Sequence, residues 1–372
     1  MKSLVILALS LAALGAQAQP YIPQSFPILQ ALEASGVTLS DEAKEWNKKW
    51  KGMDLEDEAV YQFKELSGST SINLKIRKLD ASDPDGYKSR GSFVPRNGAA
   101  NPDTEIAYYN LASLLGWGRI IRPAARYELG RKASAVFKEL IERGNIRGSL
   151  RLENKQRILN AIQTGRPLKG CVKAKKPDSE VALNSIANPR AGRNGEPVTS
   201  HPIIRSLQAR NPLPAHGADL ELKTGYVGDA YELAREYSVL MTLDAVFQQW
   251  DRYSGGNVII IKDEATGRAH FYSTDNGGAD VSRTTGWVET NLGYFSRYDR
   301  DVVDGLAKVL AFLENPASGY LGYTSAETFV VDLGLYSQLK PADYVERLKR
   351  NLKLVLKKVR DTEARYGAAT YL

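Results

Sequence analysis

The stretch from Gln249 to Asp280, QWDRYSGGNVIIIKDEATGRAHFYSTDNGGAD, concentrates residues that could do chemistry. Val258 to Lys262 and Ala269 to Ser273 read as two strands joined by a turn over Asp263 to Arg268. Pairing Lys262 with Ala269 sets Asn257 opposite Thr274, with Asp275 next door and Asp251 a short loop away. The open end of the hairpin then gathers two carboxylates and one amide, and a slip of one residue would weaken the geometry. This donor set suits metal-assisted phosphoryl transfer. Asp251 can orient an acceptor hydroxyl and take its proton. Asp275 and the Asn257 amide oxygen are hard-oxygen ligands suited to Mg²⁺ at nucleotide phosphates. Asp275-Asn276-Gly277 alone is a turn, because Asn and Gly tolerate positive φ. Its chemical reading comes from the company of Asp251 and Asn257.

The elements that must hold this hairpin are legible around it. A long helix runs from Asp229 to about Trp250 through Leu233, Tyr237, Leu240, Val246 and Phe247. Upstream, Val60 to Leu66, Ile72 to Arg77 and Tyr87 to Pro95 read as strands, with DASDPDG at 80–86 as a turn. Asn101-Pro102 caps a helix through Glu105 to Leu115, and Gly116 stops it. Further helices are expected around Ser40 to Lys51, from Ala133 to Gly144, from Asp301 to Leu313 and from Pro341 to Tyr366. Periodicity dissolves from about Thr164 to Gly217, which reads as a loop-rich insertion whose basic residues are solvated. The coarse order is a small strand-rich part with one helix, then a large helical part carrying one hairpin.

Asp-Arg followed by Asn, an apolar strand and Asp-Asn-Gly resembles the catalytic signature of the atypical kinases: phosphatidylinositol kinases, HipA-type kinases and secretory-pathway kinases related to four-jointed. The resemblance implies an α+β, bilobal protein-kinase-like fold. Its small strand-rich lobe would carry one key helix, and its larger, mainly helical lobe a metal-site β-hairpin. It implies Asp251 as the catalytic residue and Asn257 and Asp275 as metal ligands. Glu105 to Leu111, then Leu114-Leu115-Gly116 and Arg122-Pro123, looks like the small-lobe helix whose Glu pairs with a phosphate-binding Lys. Gly68, Ser69 and Thr70 lie where a short phosphate loop would precede the strands. Two departures stand out. Asn257 follows Asp251 by six residues instead of five, and the strand that often reads Phe-Lys-Pro reads Phe93-Val94-Pro95. Lys88, Lys75 or Arg96 could supply the missing charge, with Lys88 favoured. The implied cofactors are ATP and Mg²⁺, or Mn²⁺ in its place.

Met1 to Ala18 has the three parts of a cleavable secretory signal: Lys2, an apolar run from Leu4 to Leu14, and Ala16-Gln17-Ala18. That run is too short for a membrane anchor, which needs ~20 apolar residues. The expected destination is periplasmic or extracellular. The single cysteine, Cys171, excludes an intramolecular disulfide framework. A net charge of +7, evenly dispersed, allows anionic partners without demanding nucleic acid. His201, His216 and His270 lack zinc-ligand spacing, and no Gly-x-Ser-x-Gly elbow occurs. The expected division is a signal peptide at 1–18, a helical extension at 19–57, a small nucleotide-binding lobe at 58–128 and a large catalytic lobe at 129–372, with the insertion at about 164–217. The partners are a nucleotide and an acceptor, which can be protein, glycan, lipid or small molecule. Two other readings stay open: a non-catalytic pseudokinase-like binding protein, favoured by the missing lysine and the lengthened loop from Asp251 to Asn257, and a carbohydrate-active enzyme using two carboxylates.

Overall fold

The computed structural model describes residues 27–36, 39, 41–65, 72–98, 100–144, 149–178, 181–182, 201–252, 257–283, 289 and 292–372. The expected leader at 1–18 and the Gly68-Ser69-Thr70 turn lie outside the described residues. Two helices, α1 (Pro27–Ala34) and α2 (Asp41–Lys51), lead into a five-stranded antiparallel sheet. Its strands are β1 (Tyr61–Glu65), β2 (Leu74–Leu79), β3 (Tyr87–Pro95), β4 (Ala124–Leu129) and β5 (Leu168–Lys173), in the order β1-β2-β3-β5-β4.

Helix α3 (Pro102–Leu114) covers one face of this sheet and α4 (Arg131–Arg143) the other. Val94 and Cys171 meet Ile106 of α3 in one apolar cluster, while Phe93 packs edge-on against Phe137 of α4 at 6.3 Å. Helix α5 (Ser149–Gln163) follows α4 and packs against it. The sheet therefore continues past the expected boundary at 128, and β5 falls inside the stretch expected to be loop. The reason is physical. β5 is a central strand covered on both faces, so Gly170, Cys171, Val172 and Lys173 are all buried and no polar-apolar alternation marks them.

The second lobe centres on α7 (Ala230–Phe247), buried along nearly its whole length and capped by Asp229, which accepts from Tyr231 N and Glu232 N. Helix α10 (Pro341–Tyr366) packs beside it, and α8 (Arg300–Glu314) and α9 (Ala326–Leu333) pack against α10. The hairpin of β9 (Val258–Lys262) and β10 (Ala269–Ser273) has the expected register, Lys262 opposite Ala269, and β6 (Val181–Ala182) adds a short third strand. Like β4, β5, α5 and β6, the short helix α6 (Pro202–Ser206) and a second hairpin of β7 (Asp219–Lys223) and β8 (Tyr226–Asp229) escape the sequence reading. Where the lobes meet, Tyr108 of α3 stacks on Phe247 of α7, and its hydroxyl donates to Asp244 at 2.8 Å. Among the described residues no helix is long and apolar enough to cross a membrane.

Candidate active site

The loop that carries Asp251 begins where α7 ends. Gln248 takes a left-handed conformation (φ 55°) and turns the chain out of the helix. Arg252 is fully buried and ties the loop to its surroundings. It clasps Asp244 through Nε and Nη2, and donates to the carbonyls of Asn257 and Thr274 and to Asn276 Oδ1. One guanidinium thus joins the end of α7, both strands of the hairpin and the Asp-Asn-Gly turn. A planar fork of five donors can do this; an ammonium cannot.

Asp251 and Asn257 come together despite the extra residue between them. Asn257 Nδ2 donates to the Asp251 carbonyl at 2.7 Å and lies 3.5 Å from Asp251 Oδ2. With Nδ2 spent there, Asn257 Oδ1 is the oxygen left for a cation. Gln249 bridges to the Asp-Asn-Gly turn: its Oε1 accepts from Asp251 N, and its Nε2 donates to the Asp275 carbonyl. Asp275 itself has φ 55°, a left-handed position that turns its side chain out of β10. The two glycines after Asn276 allow close approach. A Cβ on Gly278 would stand 2.8 Å from Asp251 Cβ, and one on Gly277 3.2 Å from Glu105.

Glu105 is wholly buried, although an isolated carboxylate in a first helical turn would be solvated. Its partner is Lys173, the last residue of β5, at 2.6 Å from Oε1. Lys173 Nζ also reaches Asp275 Oδ1 at 3.4 Å. Burial opposes the Lys173 ammonium, but Glu105 and then Asp275 outweigh it, so its pKa stands above the ordinary lysine value. The Lys173 charge holds Asp275 below the ordinary aspartate value against the effect of burial. Asp251 moves the other way, raised by burial and then by the Asp275 charge. Two neighbouring carboxylates pushed apart in pKa are the usual mark of divided roles.

Lys88 is not the lysine of this site. It is exposed and pairs with Lys78 toward the tip of the β2–β3 hairpin, about 13 Å along the strand from Ser92 at ~3.3 Å per residue. Arg96 points elsewhere, donating to the Ser337 carbonyl. The charge missing at Val94 comes from the neighbouring strand. Val94 faces Cys171 and Ser92 faces Lys173, so all four lie on the α3 side of the sheet. Lys75 and Lys64 continue the same cross-strand row. Gly91 makes room for it at a bulge between β2 and β3: with φ 129°, any Cβ there would stand 1.9 Å from the Lys173 carbonyl. A second cation, Arg122, is also buried here, donating from Nε to the Ala174 carbonyl. The signal that could have found Lys173 was its type and the apolar flank Gly170-Cys171-Val172, masked by the loop-like composition around it.

The residues fit a divalent cation. Among the described residues no three His, Cys, Asp or Glu side chains cluster closely enough to enclose a metal unaided. Asp275 and Asn257 instead offer two oxygens on an open side, as suits an ion that shares phosphate ligands. Glu105 Oε2, fully buried, lacks a hydrogen-bond partner and is a spare acceptor beside them.

No protein-family model matches the chain, and no curated protein is significantly similar to it in sequence. Solved structures are similar. Hydra Fam20, in a structure with sugar, superposes at TM-score 0.55 and 14% identity, over 90% of this chain and 94% of that one. Golgi casein kinase with Mn/ADP bound does so at TM-score 0.53 and 13% identity, over 88% of this chain and 78% of that one. A second Golgi casein kinase structure gives the same score and identity over 89% of this chain. The chain shares the fold of these Fam20 and Golgi casein kinase structures. The bilobal α+β architecture implied by the Asp251 to Asp275 signature is thus present, with Glu105 on the small-lobe helix and Asp251, Asn257 and Asp275 at the end of the large-lobe hairpin.

Proposed function

We propose that the chain is a phosphotransferase that moves the γ-phosphoryl of ATP to an acceptor hydroxyl. The observation that carries this is the Lys173–Glu105 pair in contact with Asp275, a buried arrangement of charges across the lobe junction. A buried ion network contributes little net stability, so its presence points to a use. Lys173 would hold nucleotide phosphates, with Glu105 fixing the position of its ammonium; Lys75 stands in the same row toward the sheet edge. Asp275 and Asn257 are the residues that would hold Mg²⁺, or Mn²⁺ in its place, and the bound ion would neutralise phosphate charge. Asp251 orients the acceptor hydroxyl and takes its proton as the new O–P bond forms. The bond to the leaving oxygen breaks and ADP departs with that electron pair. Gln249 keeps Asp251 and Asp275 in register while this happens.

The arguments for a non-catalytic binder were the absent strand lysine and the lengthened loop from Asp251 to Asn257; Lys173 beside Glu105 and the Asn257–Asp251 contact support the enzyme reading instead. The carbohydrate-active reading gains no particular carboxylate pair from the geometry. An exported kinase, following the Met1 to Ala18 signal, has to act where a nucleotide donor is present, in a secretory lumen or another cell. The test is ATP consumption by the purified chain with Mg²⁺ against Asp251→Asn. Turnover lost in the variant, with nucleotide binding intact, supports the enzyme. Nucleotide bound and never consumed by the unaltered chain refutes it.

A further inference from the structure

A cavity of about 650 Å³ is lined in part by the glycines of the Asp-Asn-Gly turn. Gly277, Gly278, Ala279 and Trp250 form the wall it shares with the catalytic loop. Gly278 is the glycine that touches Asp251, so one wall of the cavity lies directly against the proposed base. Trp250, immediately before Asp251, is 48% exposed and offers a flat apolar face there.

The opposite wall is cationic. Arg96, Arg157, Arg166, Lys169 and Arg283 line it, against one carboxylate, Asp280. Two of these cations are already paired, Arg157 with Glu153 and Arg283 with Asp280. Arg96 spends one donor on the Ser337 carbonyl. Among the described residues neither the Arg166 nor the Lys169 side chain has a partner. Uncompensated cations gathered in one concavity raise the local potential and concentrate anions. Guanidinium groups match the geometry of phosphate oxygens, and the volume is that of a small-molecule site.

We propose that this cavity is the acceptor subsite and that the acceptor is a small alcohol already bearing a phosphate group. The proposal rests on the phosphotransferase reading above. Arg166, Lys169 and Arg96 hold the existing phosphate, the carbon skeleton lies on Trp250, and the free hydroxyl reaches Asp251. The product carries two phosphates: the hydroxyl oxygen gains the γ-phosphoryl, its proton goes to Asp251, and the first phosphate is unchanged. The basic residues at the start of the 164–217 segment, which the sequence alone reads as solvated, thereby acquire a role.

The test is a thermal-shift and calorimetric titration of the full chain, with saturating Mg·ADP filling the nucleotide site. Glycerol 3-phosphate and glycerol are the probes, with Arg166→Ser/Lys169→Ser as the variant; both positions are exposed, so the fold survives. Saturable binding of glycerol 3-phosphate but not glycerol, weakened at least about tenfold in the variant with Mg·ADP binding unchanged, is expected. No binding, or binding that survives the double substitution, overturns the proposal while leaving the nucleotide site standing. A phosphoserine peptide that binds where glycerol 3-phosphate does not overturns it as well. If Mg·ADP itself fails to bind, the phosphotransferase reading falls separately. Titration of the empty chain with the same variant then decides whether the anion site exists.

Discussion

Lys173→Met removes a charge and three donors while keeping an unbranched apolar side chain. Glu105 would then be left fully buried, with Oε1 losing the ammonium at 2.6 Å and Oε2 already without a partner. At an effective dielectric of ~20 the lost attraction is ~6 kcal/mol gross. The desolvation of the lysine disappears with it, so the net loss expected on breaking a buried pair is about 3–5 kcal/mol. Urea denaturation followed by tryptophan fluorescence reads this directly. The double variant Lys173→Met/Glu105→Gln restores neutrality, and the cycle should give a coupling of roughly 2–3 kcal/mol. The pH dependence has a fixed sign. Asp275, with its pKa lowered, contributes stability that is present above the unfolded value of 3.8 and lost as pH falls through its folded value. Lys173, with its pKa raised, contributes stability that is present below 10.5 and lost as pH rises through its folded value. The gap between parent and variant is therefore widest in between and narrows at both ends. A loss below about 1 kcal/mol, the worth of an exposed pair, would refute the reasoning.

Three further outcomes follow from the same geometry. Asp251→Asn should lower phosphoryl transfer by about 10²–10⁴-fold in a single-turnover assay, while Mg·ATP binding stays within a factor of about two. The acid limb of the transfer rate should lie above the ordinary aspartate value of 3.8, because burial and the Asp275 charge both favour protonated Asp251; a limb at or below it contradicts that role. Gly91→Ala forces a Cβ to 1.9 Å from the Lys173 carbonyl at a positive φ, and should destabilise the chain by about 3 kcal/mol and weaken nucleotide binding.

The hairpin of β9 and β10 was readable in the sequence because its candidate residues and its secondary structure share one pattern. The β-branched run Val258 to Ile261 and the turn at 263–268 fix a register, and register alone brings Asn257 to Asp275. The Glu105 helix was readable from its Asn-Pro start. Lys173 was not, because a central strand buried on both faces carries no alternation, and because its partner lies 68 residues away in sequence. Lys88 was favoured among Lys88, Lys75 and Arg96, and Lys173 was not among the candidates, because distance from α3 is decided by the bulge at Gly91 and the pairing of β3 with β5. The role of Arg252 in tying α7 to the hairpin was equally hidden, since five separate acceptor atoms converge on it only in three dimensions.

The central claim is that Lys173, Glu105 and Asp275 form a metal-dependent nucleotide site. Isothermal titration of ATP into the purified chain, with and without Mg²⁺, tests it most directly when paired with Lys173→Met. Saturable one-to-one binding that requires Mg²⁺ and weakens at least about a hundredfold in the variant, the equivalent of ~2.7 kcal/mol, is the predicted result. No saturable binding by the unaltered chain, or binding indifferent to both Mg²⁺ and Lys173, contradicts the claim.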